Sequence, residues 1–339
     1  MQPILGNHQG SLRSMHPKHS LYKIFNEYGD RATILNYGAR VVSLDINVNQ
    51  NLRNIILGYS EMYDYINDSY YMGATIGRYS NRIKNSCYEK DGKKFVLSPN
   101  EGENQLHGGP LGFDRLIWSE HSKSDSHICL EHFSKHNDQG FPGNMSARIS
   151  YAWESDRTLR IDFSASSDRE TPVSLTNHNY YNLNGHQSSI KNHTIQLDAN
   201  EITSIHHDFT ATGDFESVIN SCLDLNHEKS ISALINSEDP MIKHARGLDF
   251  NYVLTKGSVV SVTNELKDLI LELHTNYPGI QIYTGQHLDK PFQRYQGLCL
   301  EPQFYPCSPN HPHFPDCFIG PDKILNKFIK LRFKEGDLL

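Results

Sequence analysis

The chain has 339 residues, enough for a sizeable core, and a net charge of −7 without a long Lys/Arg run, which argues against nucleic acid or an anionic membrane as its main partner. No apolar run approaches the roughly 18 residues of a bilayer span, and the N-terminus lacks the apolar core of about 7–15 residues that a signal peptide needs. The expectation is a soluble, cytoplasmic protein.

Residues 1–20, MQPILGNHQGSLRSMHPKHS, read as a polar, loosely ordered arm. Residues 21–339 carry no Pro/Gly/Ser-rich linker and no fixed-period repeat, so they are expected to form a single domain. Thr33 to Val48 reads as two strands bent at Tyr37-Gly38. Ser60 to Ile66 is expected to form a short helical turn capped by Ser60. Gly73 to Ile83, GATIGRYSNRI, reads as a loop in which a Gly77-Arg78 turn and an Asn81-Arg82 pair stand among apolar residues. In NQLHGGPLGFDRLIW, His107 precedes Gly108-Gly109, where the backbone is free to take φ > 0 and bring an imidazole close to a ligand.

Period-two alternation then dominates. It runs through Ile128–Phe133 and through Ala147, Ile149, Tyr151 and Trp153; Leu159, Ile161, Phe163 and Ala165 follow after a turn at Ser155-Asp156. TPVSLTNHNYYNLNG, from Thr171 to Gly185, is expected to open as a strand, run into a cluster of amides, phenols and the imidazole of His178, and stop at Asn184-Gly185. Such a strand end suits a polyhydroxylated ligand. Alternation resumes at Ile195, at Leu269–Leu273 and at Ile329–Phe333, and His227 to Ile235 reads as a short helix. In RGLDFNYVL, Asp249 begins an apolar run. In YPGIQIYTG, Gln281 faces opposite to Ile280 and Ile282. In GLCLEPQFYPCSPN, Glu301 closes a strand-like run whose extension as a central strand Pro302 should bar. Many short strands and little helix indicate an all-β fold, a large antiparallel β-sandwich with few short helices.

The six cysteines are scattered without a CxxC pair, which favours reduced, mostly buried thiols. Of the 19 histidines, His206-His207 and His311-Pro312-His313 lack the spacing of metal ligands, and no metal is expected. GxGxxG and Walker patterns are absent, so a nucleotide cradle is not expected.

Taken together, six blocks in this order, GATIGRYSNRI, LHGGPLGFDRLIW, TPVSLTNHNYYNLNG, GLDFNYVL, PGIQIYTG and CLEPQFYPCSPN, resemble the aldose 1-epimerases (galactose mutarotases) from about Asn36 to Pro315. The resemblance implies a single large β-sandwich that interconverts the anomers of a free aldohexose without a cofactor, as a monomer or homodimer. It implies His178 as general acid, Glu301 as general base, and Asn81, Arg82, His107, Asp249 and Gln281 as sugar contacts. The chain departs from the family pattern at Phe250, at Cys307-Ser308 and at Ala211-Thr212-Gly213, where the family has a Pro-Thr-Gly turn. The first two are expected to flank the sugar pocket.

Anomer exchange requires the anomeric hydroxyl to lose a proton while the ring oxygen gains one. A carboxylate of reference pKa about 4.3 is a ready base and an imidazole of about 6.5 a ready acid, and a nearby carboxylate should help keep His178 protonated. His107 and Arg82 would steady charge developing on the oxygens. Three other readings stay open: a non-catalytic sugar binder on the same scaffold, an epimerase of hexose 6-phosphates, for which Arg78 and Arg82 would have to pair with phosphate, and a polysaccharide lyase or hydrolase using Asp249 with Glu301.

Overall fold

The computed structural model describes residues 19–186 and 188–336; the expected N-terminal arm lies outside them except for its last two residues. The architecture is the expected one, antiparallel strands with three short α-helices among the described residues. A nine-stranded sheet runs in the order Ser119–Lys123, His127–Ser134, Met145–Trp153, Thr158–Ser167, Leu325–Glu335, Leu269–Thr275, Val260–Thr263, Thr194–Leu197, Lys229–Ser230. A six-stranded sheet runs Tyr180–Tyr181, Leu298–Gln303, Gly279–Tyr283, Asp249–Val253, Glu201–Ile205, Ala211–Ser217. Leu21–Phe25, Arg31–Leu35, Arg40–Val48 and Asn51–Asn54 make a four-stranded sheet.

The alternation explains the layering. In Met145–Trp153, Ala147, Ile149, Tyr151 and Trp153 are buried while Ser146 and Arg148 are exposed. These side chains share one core with Phe250, Tyr252, Ile280, Ile282 and Leu300 of the six-stranded sheet and Leu44 and Ile46 of the four-stranded one. Burying each such side chain is worth about 1.5–3 kcal/mol, so the shared apolar faces hold the sheets together. The opposite face of the six-stranded sheet carries Asp249, Asn251, Gln281 and Glu301 alongside Tyr283 and Cys299. No helix among the described residues is long and apolar enough to cross a membrane, and all six cysteines are free, four of them buried.

Several local expectations are corrected. Thr171–Asn177 is not one strand: Thr171–Pro172 pairs with Phe318–Ile319 and Thr176–Asn177 with Thr75–Ile76. Between them Val173 and Ser174 donate to Cys317 and Arg78, and every side chain is buried, because the segment lies between two others rather than half in solvent. Ser60 does not cap the first helix, which spans Met62–Ile66 with Glu61 at the N-cap and no side-chain cap bond. The 227–235 helix shrinks to Ile231–Ile235, capped by the Ser230 side chain, and Lys229–Ser230 is a strand instead. A further helix, Pro240–Ala245, went unread although Asp239-Pro240 is a start signal: Asp239 accepts the Met241 N–H and proline occupies the first turn. Ala211-Thr212-Gly213 opens a strand, not a turn.

Pro302 does not end its strand, which pairs with Gly279–Tyr283 as far as Gln303. On the other side, pairing with Tyr180–Tyr181 stops at Cys299. Beyond Cys299 the strand is therefore an edge on that side, where a proline is tolerated.

Candidate active site

Register places three polar side chains in a row across adjacent strands of the six-stranded sheet: Asn251 opposite Gln281, and Gln281 opposite Glu301. The next row on the same face holds Asp249, Tyr283 and Cys299. Gln281 donates its amide to Asp249 Oδ1 at 2.7 Å. Glu301 is 2 % exposed and its Oε2 is left without a partner.

His178 reaches this face from the link between Thr176–Asn177 and Tyr180–Tyr181. Its backbone is fixed from both sides: its N–H donates to Ala74 O, and its carbonyl accepts from Gly73 N–H. Gly73 has φ +68°, and a Cβ there would stand 2.1 Å from Val41 O, so only glycine allows this approach. The result puts His178 Nε2 3.6 Å from Glu301 Oε1.

His107 closes the third side. It takes φ 53°, and its Nδ1 accepts the Asn81 N–H at 3.1 Å, while the His107 N–H donates to Asn81 O. With Nδ1 accepting, Nε2 carries the proton of the neutral ring and can donate into the site. Gly108 makes the turn possible: at φ +90° its Cβ would lie 1.9 Å from Gly77 O. The His107 and His178 rings meet edge-on at 5.4 Å, and Tyr71 packs against both, at 4.6 and 5.8 Å. Arg82 borders the carboxylates, with its guanidinium held in two bonds by Glu101 at 2.6 and 2.7 Å and lying over the Phe209 ring.

A family model described as aldose 1-epimerase matches residues 20–332. The chain is 34 % identical to the aldose 1-epimerase of Escherichia coli K12 over 328 residues, 92 % of this chain and 94 % of that one. It is 30 % identical to the galactose mutarotase of Sus scrofa, over 87 % and 89 % of the two chains. The solved structure of an aldose epimerase homologue from C. elegans superposes with a TM-score of 0.88 at 28 % identity, covering 94 % of this chain and all of that one.

The chain belongs to the aldose 1-epimerase family. It is therefore an isomerase.

All seven residues that the family pattern nominated converge: His107, His178 and Glu301 offer ligand atoms within 4.8 Å of one another, Asp249 and Gln281 lie beside them on the sheet, and Asn81 and Arg82 carry His107 and the rim. Arg78 does not join them. Its guanidinium is buried and bonds Ser134 Oγ and the carbonyls of Ser134, Lys135 and Pro142, away from the site. Phe250 does not flank a sugar pocket either, because it alternates with Asp249 and sits in the main core. Cys307 is buried in a small cluster with Ala211, Tyr305 and Phe314, and its N–H donates to Arg82 O.

The protonation of the site also departs from expectation. Burial pushes His178 down to about 4, against the smaller upward pull of its own backbone and Asp68. Burial, reinforced by the Asp249 charge and opposed by Arg82, raises Glu301 well above the usual carboxylate range. His107 is driven well down by burial, then by the neighbouring His178 and Arg82 charges. Asp249 is raised by burial, against Arg82 and the Gln281 bond. Proximity to carboxylates does not keep His178 charged, because desolvation outweighs it. A neutral imidazole beside a carboxylic acid holds the same number of protons as an imidazolium beside a carboxylate. The pair thus carries one transferable proton in either form.

Family likeness did not nominate Tyr71, Cys299, Tyr180 or Asn251. Cys299 lies two residues before Glu301 and so shares its face; a period-two count from Glu301 finds it. Tyr180 stands two residues beyond His178, and its ring is 5.1 Å from the imidazole. Tyr71 is brought in by a loop and left no periodic signal. A hollow of about 540 Å³ runs along His287–Arg294, and none of the seven nominated residues lines it.

Proposed function

We propose that the protein interconverts the α and β anomers of a free aldohexose, galactose or glucose, by acid/base ring opening. The observation that carries this reading is the buried His178 Nε2 facing Glu301 Oε1 at 3.6 Å. Glu301 as carboxylate removes the O1 proton while imidazolium His178 protonates O5; the C1–O5 bond breaks and C1=O1 forms. The pair is left as neutral imidazole and carboxylic acid, the form that burial favours. The aldehyde turns about C1–C2. Glu301 then returns a proton to O1, His178 takes one from O5, and the ring closes on the other face. Protons are conserved across the cycle, and no metal or redox cofactor is called for.

Each transfer typically contributes roughly 10²–10⁴-fold. His107, donating from Nε2, and Arg82 steady negative charge on the oxygens. Asp249, Gln281 and Asn81 hold hydroxyls, and a sugar that lacks one would leave a buried polar group unpaired. A phosphorylated hexose is disfavoured: Arg78 is committed to the 134–142 loop and Arg82 to Glu101.

The test is Glu301→Gln, followed by polarimetry on freshly dissolved α-D-galactose and α-D-glucose. The expected loss is about 10²–10⁴-fold, one proton transfer; near-normal turnover would remove Glu301 from the role. Absence of mutarotation in the unaltered protein would return the sugar-binder reading. A mass change in the product would indicate a lyase or hydrolase.

A further inference from the structure

Each ring nitrogen of His178 faces a different group. Nε2 points to Glu301 Oε1, and Nδ1 lies 3.6 Å from the sulfur of Cys299. Cys299 is completely buried and is held by pairing on both sides, with Tyr180 and with Tyr283. It packs in a cluster with Leu57, Tyr180 and Leu288, and Asp249, Tyr283 and Glu301 share its face of the sheet.

We propose that Cys299 is a positioning residue for the acid: its sulfur accepts the Nδ1–H of His178, so that Nε2 is the atom that exchanges a proton with the sugar. The proposal rests on the acid role of His178. Two observations support the tautomer. Glu301 Oε1 stands 3.6 Å from Nε2, and burial raises its carboxyl, so its acid form presents a proton to Nε2 rather than the reverse. The proton of the neutral ring is thereby left on Nδ1, where the sulfur and the His178 backbone are the acceptors within reach.

Sulfur is a weak acceptor. It orients the ring but does little to stabilise an imidazolium, so the charged ring remains a strong acid, matched to a ring oxygen that is a poor base. The groups facing His178 fit this arrangement. Glu301 and Cys299 come from one strand, His107 from the turn before Gly108, Tyr71 from the loop after Asp68, and Tyr180 from its own segment. Asp68 and Arg40 act from further away and in opposite senses. None of these supplies a carboxylate to Nδ1.

The decisive measurement is nitrogen NMR on the full chain, ¹⁵N-labelled, at neutral pH. The expected state of His178 has Nδ1 protonated and Nε2 bare; the reverse assignment overturns the proposal whether or not the protein proves to be a mutarotase. Kinetics give the second arm. Cys299→Ala should lower kcat roughly three- to tenfold, the worth of one modest hydrogen bond, with KM nearly unchanged. Cys299→Ser, with a better oxygen acceptor, should retain most of kcat and move the acid limb of the pH profile upward. A wild-type kcat and pH profile in Cys299→Ala would refute the role. An inactive wild-type protein would instead sink the functional reading and leave the tautomer result standing.

Discussion

Asp68→Asn is the most informative single change outside the site. Arg40 and Asp68 form an ion pair at 2.6 Å with side chains 1 % and 0 % exposed. Asp68 also accepts from Tyr59 OH, Tyr70 N–H and Met72 N–H, and Arg40 further bonds the carbonyls of Met72 and Asp114. An exposed pair would be worth about 0–1 kcal/mol. Here asparagine leaves a guanidinium in the interior without its counter-charge and turns an NH₂ toward groups that donate. Breaking such a buried pair costs about 3–5 kcal/mol. At roughly 2 °C per kcal/mol, the low end for larger domains, the midpoint should fall by about 6–10 °C. Calorimetry and urea unfolding read it directly. The pair also pins the loop that carries Tyr71 against His107 and His178, so kcat should fall even at temperatures where the variant is folded. A loss below about 1 kcal/mol with unchanged kcat would refute the view that this pair holds the site's wall in place.

Other outcomes follow from the same geometry. His107→Ala should reduce kcat by about 10²–10³, the usual worth of one donor to a developing oxyanion, measured by polarimetry. Gly108→Ala should destabilise by more than about 1–3 kcal/mol, since the left-handed backbone costs that much before the clash with Gly77 O, and it should lower activity by displacing His107. His178 and His193 are both held down to about 4 by burial. The unfolded chain protonates these two first, so stability should drain away as pH falls from about 6.5 to about 4, by roughly 3 kcal/mol apiece at full extent, as urea melts across that window would record. Glu301 has the opposite sign: its raised affinity for a proton favours the fold at acid pH, and that contribution is lost as pH climbs through its folded value. Activity should fall on the alkaline side as the pair gives up its shared proton, and on the acid side as it takes a second; a flat pH profile would contradict the shared-proton mechanism.

The sandwich was legible in sequence because period-two burial in segments such as Met145–Trp153 is a local property. Thr171–Asn177 misled because alternation of apolar and small polar side chains also fits a segment buried on both faces. Pro302 misled because whether a strand has a neighbour at a given residue depends on where another segment ends. The seven nominated residues could be found from family blocks, yet their protonation could not: what moves His178 down and Glu301 up is water exclusion by side chains far away in the chain. Arg78 shows the limit of proximity in sequence, since it stands four residues from Arg82 and turns to a different loop.

His178 and Cys299 are separated by 121 positions along the polypeptide, and the strands bearing Asp249, Gln281 and Glu301 arrive one after another behind His178. The candidate site is incomplete until the last of these has docked. Contacts of such long range are slow to find, with millisecond-to-second folding typical of β topologies. Recovery of turnover during refolding should therefore lag behind collapse and early hairpin formation. For the same reason, a chain cut before Leu298 would lack Glu301 altogether, while a circularly permuted one that keeps the six-stranded sheet intact would retain it.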